Sequence, residues 1–171
     1  MSTSVAQKAQ IVKDYQRKRM SLFLLWKGIL CLLRKSDNYS YLIGPVSISN
    51  TYTKLSQEIM IEYIRKHHFD HGIAGHIKPR KPFVSRLSNV DTEILTEKNS
   101  DFNALDQIIR DIEPLNLKMP VLLRKYLDLG GKIASFNVDP QFSNTVDGFL
   151  ILELSRIKPE IIQNLGKNLP A

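Results

Sequence analysis

Residues 131–154 read GKIASFNVDPQFSNTVDGFLILEL, and this stretch decides the fold class. Residues 132–138 and 148–154 combine apolar, aromatic and β-branched side chains, which is typical of β-strands. Between them, Asp139-Pro140 is a common turn initiator. The second run is apolar almost throughout, as expected of a buried strand. We therefore predict two strands joined by a turn.

The residues upstream predict helices alternating with a further strand. Residues 41–49, YLIGPVSIS, predict a strand in which Gly44-Pro45 indicates a bulge or a strand end. Residues 10–13 predict the end of another short strand. Helices are predicted from apolar periodicity and end signals at 21–33, 53–68, 101–112 and 120–129. Strands interleaved with helices indicate an α/β fold class.

Composition and charge narrow the classes of protein. The 171 residues are 43% hydrophobic, enough for one domain with a core. Residues 1–36 carry eight of the 24 Lys and Arg but one of the 17 Asp and Glu, so the whole excess of +7 lies there. Such a field attracts phosphates, anionic lipid or an acidic protein. No nucleic-acid-binding motif accompanies it, so nucleic acid is not an expected partner.

Cysteine content and hydropathy indicate a compartment. Cys31 is the only cysteine, so the chain forms no internal disulfide, which suits the reducing cytoplasm. The most apolar run, residues 20–33, is interrupted by Lys27 and Gly28 and is shorter than the roughly 20 residues that cross a bilayer. We predict a buried helix there.

A basic motif and a histidine cluster could carry chemistry. Residues 16–21, QRKRMS, precede the predicted helix at 21–33, where free N–H groups and the helix dipole favour phosphate. A solvated basic turn is the alternative. Histidines at 67, 68, 71 and 76 match no zinc spacing, and no cysteine or carboxylate completes a ligand set. We predict no metal, and a solvated helix end instead.

Four segments resemble the bacterial lipid N-acyltransferases of the GNAT type. They are VKDYQRKRMSLFLLWKGI (12–29), YLIGPVSISNTY (41–52), IKPRKPF (77–83) and MPVLLRKYLDLGGKIASFNVDPQFSNTVDGFLIL (119–152). The resemblance covers residues 11–157, and it is to the long forms from Bacteroidetes in particular, some of which carry the name hemolysin. Residues 1–10 would form a leader outside the family, and 158–171 a C-terminal helix or tail.

The resemblance implies a GNAT-like fold that is incomplete at its N-terminus, because about half of the family's domain precedes the Tyr-Gln-Arg loop. That loop would hold the phosphate of the acyl carrier. It departs from the family's glycine-rich pattern, with Arg19 at the glycine position and Ser21 at the last small position. The implied donor-binding residues are Gln16, Arg17, Lys18, Arg19 and Ser21.

In the GNAT fold the pantetheine lies between two parallel strands, and residues 41–49 would be the second. Backbone groups at Gly44 and Val46 would bond its amides and polarise the thioester carbonyl. Ser47, Ser49 or Tyr52 would protonate the leaving thiolate. The resemblance places the acyl or amine pocket at Asn137, Asp139 and Phe142, with plain strand and turn residues as the alternative for each position.

The implied activity is transfer of a 3-hydroxyacyl or other acyl chain from acyl carrier protein phosphopantetheine, or from acyl-CoA, to a small amine such as an amino acid. This N-acyltransferase step belongs to lipid biosynthesis and needs no metal. Expected partners are acyl carrier protein, an anionic inner-membrane surface met from the cytoplasm, and a second copy pairing with an exposed sheet edge. Two alternatives stay open: a noncatalytic membrane-surface or partner-binding module, and an inactive truncated acyltransferase.

Overall fold

A computed structural model describes residues 39–87 and 101–157, together with residues 24, 25, 27–29 and 160. The chain divides into two compact units, Met1–Ser40 with Ile157–Ala171, and Tyr41–Arg156. In the first unit, residues 24, 25 and 27–29 are helical. The second unit is a mixed α/β body, and it contains every element described below.

Three antiparallel strands form the sheet of the second unit. They are β1 (Tyr41–Ile48), β2 (Lys132–Asp139) and β3 (Thr145–Glu153), in the spatial order β1-β3-β2. β1 pairs with β3 without interruption, whereas the β2–β3 ladder shifts register between Ile133 and Phe136. Side chains alternate between a buried and a more exposed face along most of the sheet, as the period of two requires.

Helices cover the buried face of the sheet. They are α1 (Lys54–His67), the single turn α2 (His71–Ala74), α3 (Phe102–Ile112) and α4 (Val121–Asp128). In α1, α3 and α4 apolar residues recur at helical spacing and pack with those of the strands into one core, whereas α2 buries no residue. The core includes Val46, Ile48, Ile59, Tyr63, Ile64, Leu105, Ile109, Leu123, Leu127, Ile133, Val146 and Leu150.

Side-chain caps and two buried carboxylates hold the helices. Thr53 caps α1 by accepting from Ser56 N–H, and Asp101 caps α3 by accepting from Asn103 N–H. Glu113, just after α3, accepts from the N–H and the hydroxyl of Thr53 at 2.8 Å each. The start of α1 is thereby fixed to the end of α3.

The second buried carboxylate joins α3 to α4. Asp106 accepts from the N–H of Met119 at 2.9 Å and from the guanidinium of Arg124 at 2.6 Å. The same guanidinium lies 5.4 Å from the centre of the Phe102 ring. Because a buried carboxylate is costly unless it is paired, these bonds determine how the two helices pack.

The structure confirms the predicted strand at 41–49 and the predicted helices at 53–68, 101–112 and 120–129, each within two residues at either end. The strand predicted at 148–154 begins earlier, at Thr145. The bulge or strand end predicted at Gly44-Pro45 is wrong, because the pairing with β3 runs through both residues. In the described part, β1 has a partner on one side only, and an edge strand tolerates proline.

Several predicted features lie outside the described residues. These are the short strand at 10–13, the basic loop at 16–21 with its five proposed donor-binding residues, and most of the helix at 21–33, including Cys31. Neither α2 nor the 3-10 turn Pro140–Phe142 was predicted from the sequence. Both are single turns, too short to produce a helical period.

The end of α4 generates a stability prediction. Gly130 has φ +87°, and a Cβ on Gly131 would lie 2.7 Å from the carbonyl oxygen of Tyr126. We expect Gly131→Ala to lower the free energy of unfolding by about 1–3 kcal/mol, since backbone must move to admit the methyl group. Gly75 has open space and helical φ, so Gly75→Ala should stabilise by about 0.4–1 kcal/mol. Urea denaturation measures the change in the free energy of unfolding for both variants, and equal changes would contradict the prediction.

Glu113 generates a prediction about acid stability. Burial alone would raise its pKa, but hydrogen bonds from Ser56 and Thr53 outweigh burial and hold the pKa of Glu113 below its ordinary value of 4.5. The carboxylate therefore stabilises the fold above that value, and the contribution is lost as pH falls through the lowered pKa. We expect Glu113→Gln to be less stable at neutral pH and to lose less stability on acidification.

The measurement is urea denaturation at neutral pH and below pH 4.5. Glu62→Gln is the control, because Glu62 pairs with Arg65 on the partly exposed surface of α1. An acid dependence in Glu113→Gln as steep as that of the unaltered protein would contradict the assignment.

Candidate functional site

Three polar side chains lie side by side across the sheet near one of its ends. Ser47 on β1 is paired with Asp147 on β3, which is paired with Asn137 on β2, so all three project from the same face. The Ser47 hydroxyl donates to Oδ1 of Asp147 at 2.6 Å. Ser47 is exposed and the other two are partly exposed, whereas its neighbours Val46 and Ile48 are buried in the core. We call Ser47, Asp147 and Asn137 the polar row.

The connecting turns meet at the same end of the sheet. Nδ2 of Asn50 donates to the carbonyl of Ser143 at 2.9 Å, which joins the loop after β1 to the β2–β3 connection. In that connection Asp139 caps the 3-10 turn by accepting from Gln141 N–H, and Phe142 is 71% exposed. Two separately predicted motifs, residues 44–52 and 137–144, therefore come together in space.

The three predicted hydroxyls have different surroundings. Ser47 belongs to the polar row, whereas the hydroxyl of Ser49 accepts from the N–H and the hydroxyl of Thr51. The hydroxyl of Tyr52 donates to the carbonyl of Lys118 at 2.7 Å. Burial, helped by the nearby carboxylates Glu113 and Asp106, raises the pKa of Tyr52, so its proton is held more tightly than that of a free tyrosine.

The backbone positions predicted to contact pantetheine lie on β1. Gly44 is paired with Leu150 in the middle of the ladder, and Val46 turns its side chain into the core. The side chain of Val46 is therefore not available to a ligand. In the described part of the chain β1 has no neighbour on its outer side, where alternate N–H and C=O groups point.

The pocket residues predicted on β2 have structural contacts. Oδ1 of Asn137 accepts from the N–H of Lys81 at 2.8 Å, so the amide holds the segment that runs beside β2. The carboxylate of Asp139 accepts from the N–H of Gln141 within the turn. Both side chains remain partly exposed at the polar end of the sheet, and Phe142 offers an apolar surface beyond them.

Asp147 is the functional candidate that sequence reasoning missed. It lies on the central strand between Ser47 and Asn137, which makes it the charged member of the polar row. The signal in the sequence is an acid one residue before the predicted start of the apolar strand at 148. Because β3 begins three residues earlier than predicted, Asp147 was assigned to a loop and not to the sheet.

The histidines are distributed along α1 and the residues after it. The prediction of a solvated helix end is wrong for His67 and His68, because both are partly buried against aromatic rings. His68 stacks on Phe102 with ring centres 5.2 Å apart, and His67 lies 4.8 Å from the ring of Tyr63. His71 packs edge-on against Phe69 at 5.0 Å. Within the described residues, no three His, Cys, Asp or Glu form a group that could hold a metal ion.

Comparisons with known proteins add no relative: no family model matches the chain, and neither a curated protein nor a solved structure shows a significant match. Of the helices that the structure describes, none combines the length and the apolar character needed to cross a membrane. The polar end of the sheet therefore has to be interpreted from its own chemistry.

His68 makes the stability of the fold depend on pH. Burial, reinforced by neighbouring His67 and opposed by Asp128, lowers the pKa of His68 below its ordinary value of 6.5. The neutral ring is therefore favoured in the folded state, and stability is fully present above that value and lost as pH falls below it. We expect His68→Phe, which can keep the stacking on Phe102, to remove part of this loss.

Urea denaturation at pH values on either side of 6.5 measures the effect. His76→Gln is the matched control, because His76 is exposed. If His68→Phe and His76→Gln showed the same loss of stability on acidification, the role assigned to His68 would be refuted.

Proposed function

We propose that this protein is a GNAT-type N-acyltransferase that moves an acyl chain, such as a 3-hydroxyacyl chain, from an acyl carrier thioester to a small amine such as an amino acid. The proposal extends to a GNAT-like arrangement of the whole domain and to a role in lipid biosynthesis. The single observation that supports it is the convergence of residues 44–52 and 137–144, two motifs of the resemblance, around the polar row.

The chemistry of the polar row suits an amine acceptor. An amine in water is mostly an ammonium ion, which a carboxylate such as Asp147 attracts and from which it accepts a proton. Ser47 already donates to Oδ1 of this carboxylate, which fixes its orientation. The second oxygen of Asp147 is then available to an ammonium group on the exposed face of the sheet.

The reaction balances without a metal or a covalent enzyme intermediate. The amine nitrogen attacks the thioester carbonyl, an N–C bond forms, and the C–S bond breaks as the thiolate leaves. The ammonium nitrogen loses two protons: Asp147 takes one and passes it to solvent, and the other ends on the departing sulfur. An outward N–H of β1 would stabilise the oxyanion of the tetrahedral intermediate.

Two of the three predicted proton donors, Ser47 and Tyr52, are poorly suited to protonate the leaving thiolate. The Ser47 proton is directed at a carboxylate, and a raised pKa holds the proton of Tyr52. We therefore propose that Asp147 carries the main proton transfer. Ser47 then positions this carboxylate, and the thiolate takes its proton from the amine.

The decisive substitution is Asp147→Asn, which keeps the shape and the hydrogen bond from Ser47 but removes the charge. We expect kcat/KM for acyl transfer to fall by roughly 10²–10⁴-fold, the usual range for losing a general base. The assay uses 3-hydroxyacyl carrier protein as donor and glycine or ornithine as acceptor. Asp111→Asn is the control, because Asp111 is exposed on α3 and bonds only Gln107 in the described structure.

Equal activity of the two variants would remove Asp147 from the mechanism. No transfer by the unaltered protein, with acyl-CoA as well as with acyl carrier protein, would refute the proposed activity. That result would leave the two alternatives, an inactive truncated acyltransferase and a noncatalytic binding module. For the binding module, Tyr41 and Ile43 on β1 offer an apolar surface, being 53% and 65% exposed.

A further inference from the structure

A basic segment lies beside β2, apart from the polar row. It comprises residues 76–86, HIKPRKPFVSR, and we call it the basic strap. It contains four Lys or Arg and no Asp or Glu, and all four cations are exposed: Lys78, Arg80, Lys81 and Arg86. The ion pairs found in the described part of the chain use other residues, namely Arg65, Arg124 and Arg156. The strap therefore presents uncompensated positive charge.

The backbone of the strap is fixed against the sheet. The N–H of Val138 donates to the carbonyl of Lys81 at 2.8 Å, and the N–H of Phe83 donates to that of Phe136 at 3.2 Å. The amide of Asn137 accepts from Lys81 N–H, and Arg65 of α1 reaches the carbonyl of Phe83 at 3.3 Å. Because the backbone is already held, only the side chains of the strap lose conformational freedom when it binds a partner.

The strap lies next to the polar row, on the outer side of β2. Pro82 bridges to Asn137, which is itself in register with Asp147 and Ser47. The order across the sheet is therefore strap, β2, β3 and β1, with the polar row crossing the three strands. A partner bound to the strap would stand at the same end of the sheet as the candidate site.

The side chains of the strap indicate which polyanion it fits. Single-stranded nucleic acid would call for several exposed aromatic rings on which bases stack, but the one Phe, Tyr or Trp here, Phe83, packs against the core, which leaves the His76 imidazole as the one exposed ring. A membrane surface would call for several exposed apolar side chains, and Val84, 78% exposed, is the only large one in the strap. Cations without either feature fit an acidic protein surface, where charge complementarity steers association.

We infer that the basic strap is the docking surface for an acidic acyl carrier protein. This inference rests on the proposed function for the identity of the partner, while the charge, exposure and fixed backbone of the strap are independent of it. Lys78, Arg80 and Lys81 would pair with carboxylates of the carrier, and the phosphopantetheine arm would extend from there toward the polar row.

Binding of holo-acyl carrier protein without an acyl chain tests the inference apart from catalysis. The test variant reverses three strap charges (Lys78→Glu, Arg80→Glu and Lys81→Glu). The control variant reverses three exposed lysines elsewhere (Lys54→Glu, Lys118→Glu and Lys125→Glu), with the same change in net charge. Fluorescence anisotropy at low and at physiological ionic strength, about 0.15 M, gives the affinities. Circular dichroism confirms that both variants are folded.

We expect the strap variant to bind the carrier roughly tenfold or more weakly than the control variant, and salt to weaken binding by the unaltered protein. Equal affinities of the two variants would overturn the inference. So would strap-dependent binding to phosphatidylserine-containing vesicles without binding to the carrier. Strap-dependent carrier binding in a protein that transfers no acyl group would uphold the docking surface while refuting the proposed reaction.

Discussion

The position of β3 between β1 and β2 is the constraint on which the rest of the second unit depends. Ser47 and Asp147 are 100 residues apart in the sequence, and only the β1–β3 ladder brings them into contact. The cost of closing so long a loop rises slowly with its length, but the register must be correct to the residue. A slip of one position would turn Asp147 into the core and Val146 out to solvent. The burial of Val146, Gly148 and Leu150 therefore fixes the geometry of the candidate site.

The helical side of the fold depends on two buried carboxylates that link elements distant in sequence. Glu113 fixes the start of α1, which begins directly after the site loop at 49–52, and Asp106 fixes the connection from α3 to α4. Removing either carboxylate would leave its hydrogen-bond donors unsatisfied, at a cost of about 1–3 kcal/mol for each donor that stays buried. Tyr52 adds a third link, because its hydroxyl bonds the carbonyl of Lys118 in that same connection. The loop that follows β1 is thus held from the helical layer as well as from the sheet.

Local signals in the sequence were enough to predict the strands and the three longer helices of this unit but not their pairing. Thr53 and Asp101 mark helix starts, Gly130-Gly131 marks a helix end, and the apolar run at 149–152 marks a buried strand, since each acts on its own few residues. The strand order, the antiparallel direction and the shift between Ile133 and Phe136 depend on contacts between distant segments. Asp147 was missed for that reason: its role follows from its neighbours across the ladder. Residues 47, 137 and 139 were predicted as site residues from motifs of the resemblance, and their convergence became visible only in the fold.

Proline on both outer edges of the described sheet has a consequence for how copies of the chain can meet. Pro45 lies within β1 at one side, and Pro79 and Pro82 lie within the strap at the other. A proline offers no N–H to an incoming strand, so either edge is a poor template for strand addition by another molecule. Growth of the sheet from chain to chain, the route to aggregated β-structure, is disfavoured at both ends. Any stable association between copies would then rely on side chains and not on a continuous backbone ladder.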